Sequence, residues 1–448
     1  MTEAPTTTPL LAPRYRLATI GMVSLIFLAA FEALAVTTIM PTVSADLDGR
    51  AWFSAAFSAT LAASVVGMVV AGLWSDRSGP RLPLLASVAV FAGGLLLAGV
   101  APGIELFVAA RFLQGLGGGA MTVALYVVVA RIYAPIDHPR IFGAFAAAWV
   151  IPSMIGPTIA GGVAEAFGWR WVFLGVVALA AAATAMLLPG LRGLVDNPEP
   201  SALATGSRLV LAVIVAGAVV ALDLAGRASA AVGFLAAGVA LVVVVVAVRP
   251  LLPPGTLVVR RGLPAVIALR GAIAATFFST EIYLPYLLQE QYDVRPWLSG
   301  ATLTVGALGW SGASHVQARL GGRLDHHAAL RIGGVLLLAG VAGELATTAL
   351  ELTPFLIGAA WVLAGAGMGL MYPRISALVL AASTERDQGS NSAAMSISDA
   401  VGGATAISLA GLVFTSTGSA ADLAPFVAAL ALTTAIALSA LLVSRRTD

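Results

Sequence analysis

An all-α integral membrane protein is the fold class the sequence predicts: fourteen transmembrane helices, arranged as two pseudo-symmetric six-helix bundles plus an inserted central helix pair. Three observations predict it. Hydrophobic residues make up 59% of the 448-residue chain and charged residues 10%, against roughly 25% charged in a soluble domain. Apolar runs long enough to cross a bilayer recur from end to end. Two of those runs, far apart in the chain, repeat one glycine pattern at constant spacing.

The same composition excludes several function classes. Net charge is +2, and every basic residue is arginine. The basic balance therefore reflects scattered loop residues, not a face that binds nucleic acid. Cysteine is absent, which removes disulfides, thiol catalysis and cysteine-based metal sites. The histidines, His138, His315, His326 and His327, make no metal-site pattern, and His326-His327 reads as a solvated loop pair. The first apolar run is long enough to span and ends in Pro41-Thr42-Val43-Ser44, not at a small-residue cleavage site.

In chain order, residues 1–16 are a polar, Pro- and Thr-rich tail. The first six spans are expected at 17–40, 52–74, 82–101, 104–132, 141–164 and 170–190, forming an N-terminal bundle over 17–190. A polar linker, 191–207, carries Pro198 and Pro200. The inserted pair, 208–248, spans at 208–226 and 229–248. It is rich in Val and Ala and reads as lipid-facing filler, with Asp223 near its outer turn. A second linker, 249–261, contains Pro250, Pro253 and Pro254. The last six spans are expected at 262–289, 298–320, 328–349, 353–381, 389–415 and 421–443, forming a C-terminal bundle over 262–443 ahead of a short tail, 444–448. With the N-terminus inside, eighteen arginines fall in inner loops and tails and four in outer loops, while Arg111 and Arg270 lie within helices. That bias predicts cytoplasmic termini in a multi-pass protein of the cell membrane.

The repeat is visible in side chains. Arg111-Phe-Leu-Gln-Gly115-Leu-Gly117-Gly-Gly119 aligns with Trp361-Val-Leu-Ala-Gly365-Ala-Gly367-Met-Gly369 at an offset of 250 residues. Arg319, Gly321 and Arg323 align with Arg77, Gly79 and Arg81, although Ala318 stands where Asp76 would be. Two related bundles around a midplane cavity is a transporter design.

Charges in lipid are costly, about 2.5–3.5 kcal/mol each on insertion scales, so the few present are informative. Glu32 sits near the middle of the first span. A carboxyl there has little water and is the best-placed proton carrier in the chain, although a structural carboxyl bonded to a neighbouring helix is the other reading. Glu281 lies among Phe277, Phe278, Tyr283 and Tyr286, a combination suited to apolar or cationic compounds or, equally, to the outer headgroup region. Asp399, beside Ser396 and Ser398, is a second candidate for titration or cation binding. Glu344 and Asp223 fall near segment ends and read as solvated. Arg111 needs an acid, a carbonyl or water as partner, or else snorkels to the surface. Phe31, Trp149, Phe278, Glu281, Tyr283 and Trp361 are the candidate substrate-binding wall.

Three motifs occur in order. Residues 72–81 read Gly72-Leu-Trp-Ser-Asp76-Arg77-Ser-Gly79-Pro80-Arg81 in a short connection between two spans. Arg111-x-x-Gln114-Gly115-x-Gly117 follows, and then Pro152-Ser-Met-Ile-Gly156-Pro157-Thr-Ile-Ala160-Gly161-Gly162. On physical grounds the last is a hinge or a seam of close helix packing. Together these motifs resemble the loop, helix-four and antiporter signatures of the major facilitator superfamily. The whole chain is similar to that superfamily's fourteen-helix drug:proton antiporters. Departures are Pro80 for a basic residue, Ala160 and Pro152 for glycines, and Glu32 where helix one often carries Asp. The resemblance implies a proton-coupled exporter of lipophilic small molecules working by alternating access. Glu32, Arg111 and Gln114 would serve proton coupling, with Asp399 joining them on its position alone, Gly72, Asp76, Arg77, Gly79 and Arg81 as a gate and Gly156, Pro157 and Gly161 as the antiport hinge. It implies no cofactor beyond the proton gradient, and as partners a lipophilic substrate, protons and the bilayer around a monomer, with no nucleic acid. An exporter of a lipid or envelope precursor and a proton-coupled importer of a small metabolite share these features. A membrane-embedded enzyme lacks the soluble domain or acid pair it would need.

Overall fold

The computed structural model describes residues 9–134, 137–192, 205–226, 230–320, 323–384 and 388–447. Most of the expected linker at 191–207 and half of the N-terminal tail fall outside these residues. Fifteen α-helices build the described chain, and no strand occurs among the described residues. Six come first: α1 (Arg16–Asp46), α2 (Ala55–Ser78), α3 (Arg81–Gly99), α4 (Ile104–Ile132), α5 (His138–Phe167) and α6 (Arg170–Leu191). The inserted pair is α7 (Thr205–Ala225) and α8 (Ala230–Val248). The second set is α9 (Leu263–Glu281), α10 (Tyr283–Tyr292), α11 (Pro296–Leu320), α12 (His326–Ala349), α13 (Pro354–Ala381), α14 (Gln388–Thr417) and α15 (Ala424–Val443).

Helices α9 and α10 share one crossing, Leu263–Tyr292, one of thirteen apolar enough to span a bilayer. The fourteenth is α11, 25 residues long, which at 1.5 Å per residue reaches across the hydrocarbon layer. Its polarity is raised by Ser299, Thr302, Thr304, Ser311, Ser314, His315 and Gln317. The break between α9 and α10 departs from the single helix expected over 262–289. Pro285 explains it: proline has no N–H to donate to the residue 281 carbonyl, and its ring crowds that carbonyl.

The repeat is real in three dimensions. A methyl added at Gly115 would collide with the Thr60 carbonyl, and one at Gly119 with that of Ser64, both on α2. In the second set, Gly365 meets the Gly306 carbonyl and Gly369 that of Trp310, both on α11. Gly117 and Gly367 are pressed in the same way against α3 and α12. Lipid offers helices no hydrophobic gain for pairing, so close backbone contact is what holds them, and only glycine permits it.

The start of α9 and the end of α15 lie on one face, to which an even number of crossings also returns the start of α1. The Gly262 N–H at the start of α9 donates to the Arg446 carbonyl at 3.4 Å. On the opposite face, Arg50 just beyond α1 pairs with Glu290 of α10 at 3.2 Å. Further hydrogen bonds join α1–α6 to α9–α15 in this far half. Gln289 Nε2 donates to the Thr38 carbonyl at 3.1 Å, and the Trp297 N–H donates to Glu165 at 3.1 Å. The hydroxyls of Thr158 and Thr304 sit 3.4 Å apart. Phe53 stacks on Tyr286 with ring centres 4.3 Å apart and leans on Tyr283. The two bundles are therefore fastened at the face remote from the termini.

The inserted pair corrects one expectation in part. Helix α8 suits lipid, with Val232, Phe234, Leu235, Val239, Val242, Val245 and Val246 exposed. Helix α7 is not filler. Its Asp223 is buried, 8% exposed, and bonded by serines of two other helices. Glu344 is also buried, inside α12 and not at a solvated end. Sequence alone reads both acids as solvated because each lies within a few residues of a segment end, where it gives no sign of what packs over it.

Candidate functional site

The N-terminal bundle holds a buried ion pair near its middle. Glu32 of α1 is 3% exposed and Arg111 of α4 is 2% exposed. The Arg111 guanidinium donates to the Glu32 carboxylate and, from the same nitrogen, to Gln114 Oε1 one turn along α4. Its Nε donates to the Ala56 carbonyl in the first turn of α2 at 3.2 Å. Thr60 returns a bond from α2 to the Arg111 carbonyl at 3.2 Å. One side chain thus ties three helices together, and the snorkelling alternative for Arg111 falls away. The sequence placed Glu32, Arg111 and Gln114 as candidates, and the structure brings them into contact.

A second pair lies in the C-terminal bundle. Arg270 Nε of α9 donates to Asp399 of α14 at 2.7 Å. Tyr372 of α13 donates its hydroxyl to the other carboxylate oxygen at 3.0 Å, while its ring lies 3.1 Å from the Arg270 guanidinium carbon. Arg270 also reaches the Tyr372 carbonyl at 3.4 Å and Ser376 at 3.5 Å. Sequence reasoning named Asp399 and missed Arg270 and Tyr372. The available signal was that Arg270, like Arg111, is an arginine set apart from the loops and tails.

The remaining candidates separate by position. Asp76, Arg77 and Arg81 are exposed on the face of the termini and make no ion pair among the described residues. Gly79 ends α2 at φ 72°, a left-handed value that favours glycine, whereas Gly72 within α2 has open room around it. Gly156 faces Phe31, and Gly161 is pressed on the backbone of Pro296 and Trp297 in α11. The carbonyl of Pro157 in turn leaves no space for a side chain at Gly300. This motif is thus a seam between the bundles, and both Pro152 and Pro157 are accommodated inside α5.

The expected substrate wall does not form one surface. Phe278 approaches Gly403 beside Leu61, at a junction of α9, α14 and α2. Trp149 is half exposed. Tyr283 is buried between Phe53 and Phe414 in the fastened face, and Glu281 is buried at the end of α9. Trp361 is 1% exposed, stacked on Phe277 with centres 4.4 Å apart, and belongs to the packing of the second bundle. A tryptophan at the repeat position of Arg111 is explained by the pocket it fills against Gly306. No group of three or more metal-ligating side chains occurs among the described residues.

Residues 22–407 match the sequence profile of the Major Facilitator Superfamily. The chain is a member of that superfamily. Its relatives include the multidrug transporter MdtP of Bacillus subtilis, 24% identical over 408 residues, covering 88% of this chain and 74% of the relative. A probable multidrug-efflux transporter of Mycobacterium tuberculosis is 26% identical over 420 residues, covering 90% of this chain and 88% of its own. An uncharacterized transporter of Schizosaccharomyces pombe is 31% identical over 153 residues, 34% of this chain and only 26% of that protein's length. A crystal structure of a POT family transporter in complex with 5-aminolevulinic acid superposes with a TM-score of 0.71 at 13% identity, covering 96% of this chain and 94% of that one. At that identity the likeness speaks to the fold alone. This major facilitator protein is a multi-pass membrane transporter, and the family and relatives are transporters, not enzymes.

Proposed function

We propose that this transporter exports lipophilic small molecules in exchange for protons by alternating access, as the fourteen-helix drug:proton antiporters do, from a cell membrane with both termini in the cytoplasm. The observation that carries the reading is the sealed Glu32–Arg111–Gln114 cluster inside the N-terminal bundle, tied to a helix of the bundle interface. The relatives named as multidrug transporters support the substrate class, and the apolar composition agrees with it.

The cluster suits a proton cycle. A proton on Glu32 cancels its charge, yet Arg111 then keeps Gln114 and the Ala56 carbonyl. The guanidinium keeps hydrogen-bond acceptors but loses its counter-charge, and that uncompensated buried charge favours a rearrangement of the site. Ala56 begins α2, which meets α14 across the bundle interface, so a shift of Arg111 is transmitted to a helix that must move. The fastened far face is then the outside, the described state faces the cytoplasm, and Asp76, Arg77 and Arg81 are the unlatched inner gate. Asp399 stands as a second group for the proton. One charge crossing 100 mV supplies about 2.3 kcal/mol, and a tenfold gradient costs about 1.4 kcal/mol. One proton exchanged for one neutral molecule therefore sustains a ratio on the order of 40-fold.

Transport in inside-out vesicles tests this, with a panel of lipophilic cations and neutral compounds. Uptake should need the proton gradient in the parent protein and fail in Glu32→Gln while substrate binding persists. A variant that pumps at the parent rate would show Glu32 to be structural.

A further inference from the structure

The inserted helix pair sends one carboxylate into the seam between the two bundles. Asp223 lies near the end of α7, at the face remote from the termini. Ser54 Oγ donates to its Oδ1 at 3.0 Å, and Ser58, one turn further along α2, donates to its Oδ2. From the other bundle, Ser408 of α14 donates to Oδ2 at 2.9 Å. Just past the end of α7, three residues on from Asp223, the Gly226 carbonyl accepts from Thr415 of α14 at 3.2 Å. All three serines are buried. Beneath this cluster α2 and α14 touch so closely that a methyl on Gly411 would collide with the Ser54 side chain. The aromatic seal of Phe53, Tyr283 and Phe414 adjoins it.

We propose that α7 is a clasp and that Asp223 is its latch, a gating residue that holds the far face shut by hydrogen bonding to both bundles at once. A six-plus-six transporter needs no extra pair to span the membrane, so a pair that contributes a buried acid to the moving seam has a task there. The hydrogen bonds of Asp223 connect parts that no covalent turn joins locally. Opening of the far face separates Ser408 from Ser54 and Ser58, so Asp223 must release one side. With two serines on α2 and one on α14, it stays with α2, and Ser408 is the bond that breaks.

This inference rests on the alternating-access reading, and one experiment separates the two. The chain has no cysteine, so a Thr158→Cys/Thr304→Cys pair can report closure of the far face by thiol crosslinking in liposomes under imposed proton gradients of either sign. The parent pair should crosslink in one condition and less in the other. Adding Ser408→Ala, a small change that leaves Ser54 and Ser58 in place, should lower the closed-to-open ratio by up to about tenfold, the worth of one buried hydrogen bond. Asp223→Ala should lower it further. If both variants crosslink as the parent does, the clasp is overturned while alternating access stands. If the parent pair crosslinks equally in every condition, alternating access itself is overturned, and the clasp with it.

Discussion

Two buried ion pairs, one in each bundle, are built differently. In the first bundle Glu32 and Arg111 are almost wholly enclosed, with 4% and 3% of their side chains exposed. In the second, Arg270 and Asp399 are 8% and 19% exposed. The enclosed pair is completed by an amide and a backbone carbonyl, and the other by a phenol that both stacks and donates. Enclosure raises the stakes of each bond, because an unpaired charge there has no water to turn to. The first pair is closed off in the described state, as the proposed proton coupling would need. The second is more open in the described state, with 19% of the Asp399 side chain exposed.

The comparison breaks most visibly if one arginine is removed from each pair. Arg111→Ala strands Glu32 in an enclosed site and should destabilise the protein by about 3–5 kcal/mol, the range for breaking a buried pair. Arg270→Ala should cost about 1–3 kcal/mol, because Asp399 keeps Tyr372 and partial hydration. Thermal unfolding in a single detergent would rank the two, and equal losses would erase the distinction. A smaller effect sharpens it. Tyr372→Phe keeps the ring over Arg270 and loses one bond to Asp399, so stability should fall by about 0.5–1.5 kcal/mol with transport retained. The smallest expected effect is ionic. Raising salt should weaken the contribution of Arg270–Asp399, measured by a double-mutant cycle, and leave that of Glu32–Arg111 nearly unchanged, since screening acts on charges that reach solvent.

Much of this architecture was legible in the sequence because its causes are local or periodic. Apolar run length gave the crossings, and the 250-residue offset of Gly115, Gly117 and Gly119 with Gly365, Gly367 and Gly369 gave the repeat that backbone contacts then displayed. Glu32 and Arg111 stood out because charge in lipid is expensive. What the sequence did not disclose depends on distant partners. Asp223 looked solvated because its donors Ser54, Ser58 and Ser408 lie more than 160 residues away, and serines are too common in spans to advertise a role. Arg270 and Asp399 are 129 residues apart. The break after Glu281 was signalled by Pro285, but proline is tolerated within other crossings here, as at Pro41 and Pro157, so the residue alone does not say which helix will part.

The glycine contacts have a calorimetric consequence. Apolar burial in water leaves its mark as a large heat-capacity change, because that quantity reports the hydration of exposed surface. Prising α2 from α4, or α11 from α13, inside a bilayer exposes backbone and methyls to acyl chains, and no water is ordered or released. Cohesion built on Gly115 against Thr60 and Gly365 against Gly306 is therefore mostly packing enthalpy, and it should vary little with temperature. The bundles keep their rigidity in the cold, where a water-driven core would loosen, and the temperature dependence of transport falls instead on the polar seams between them.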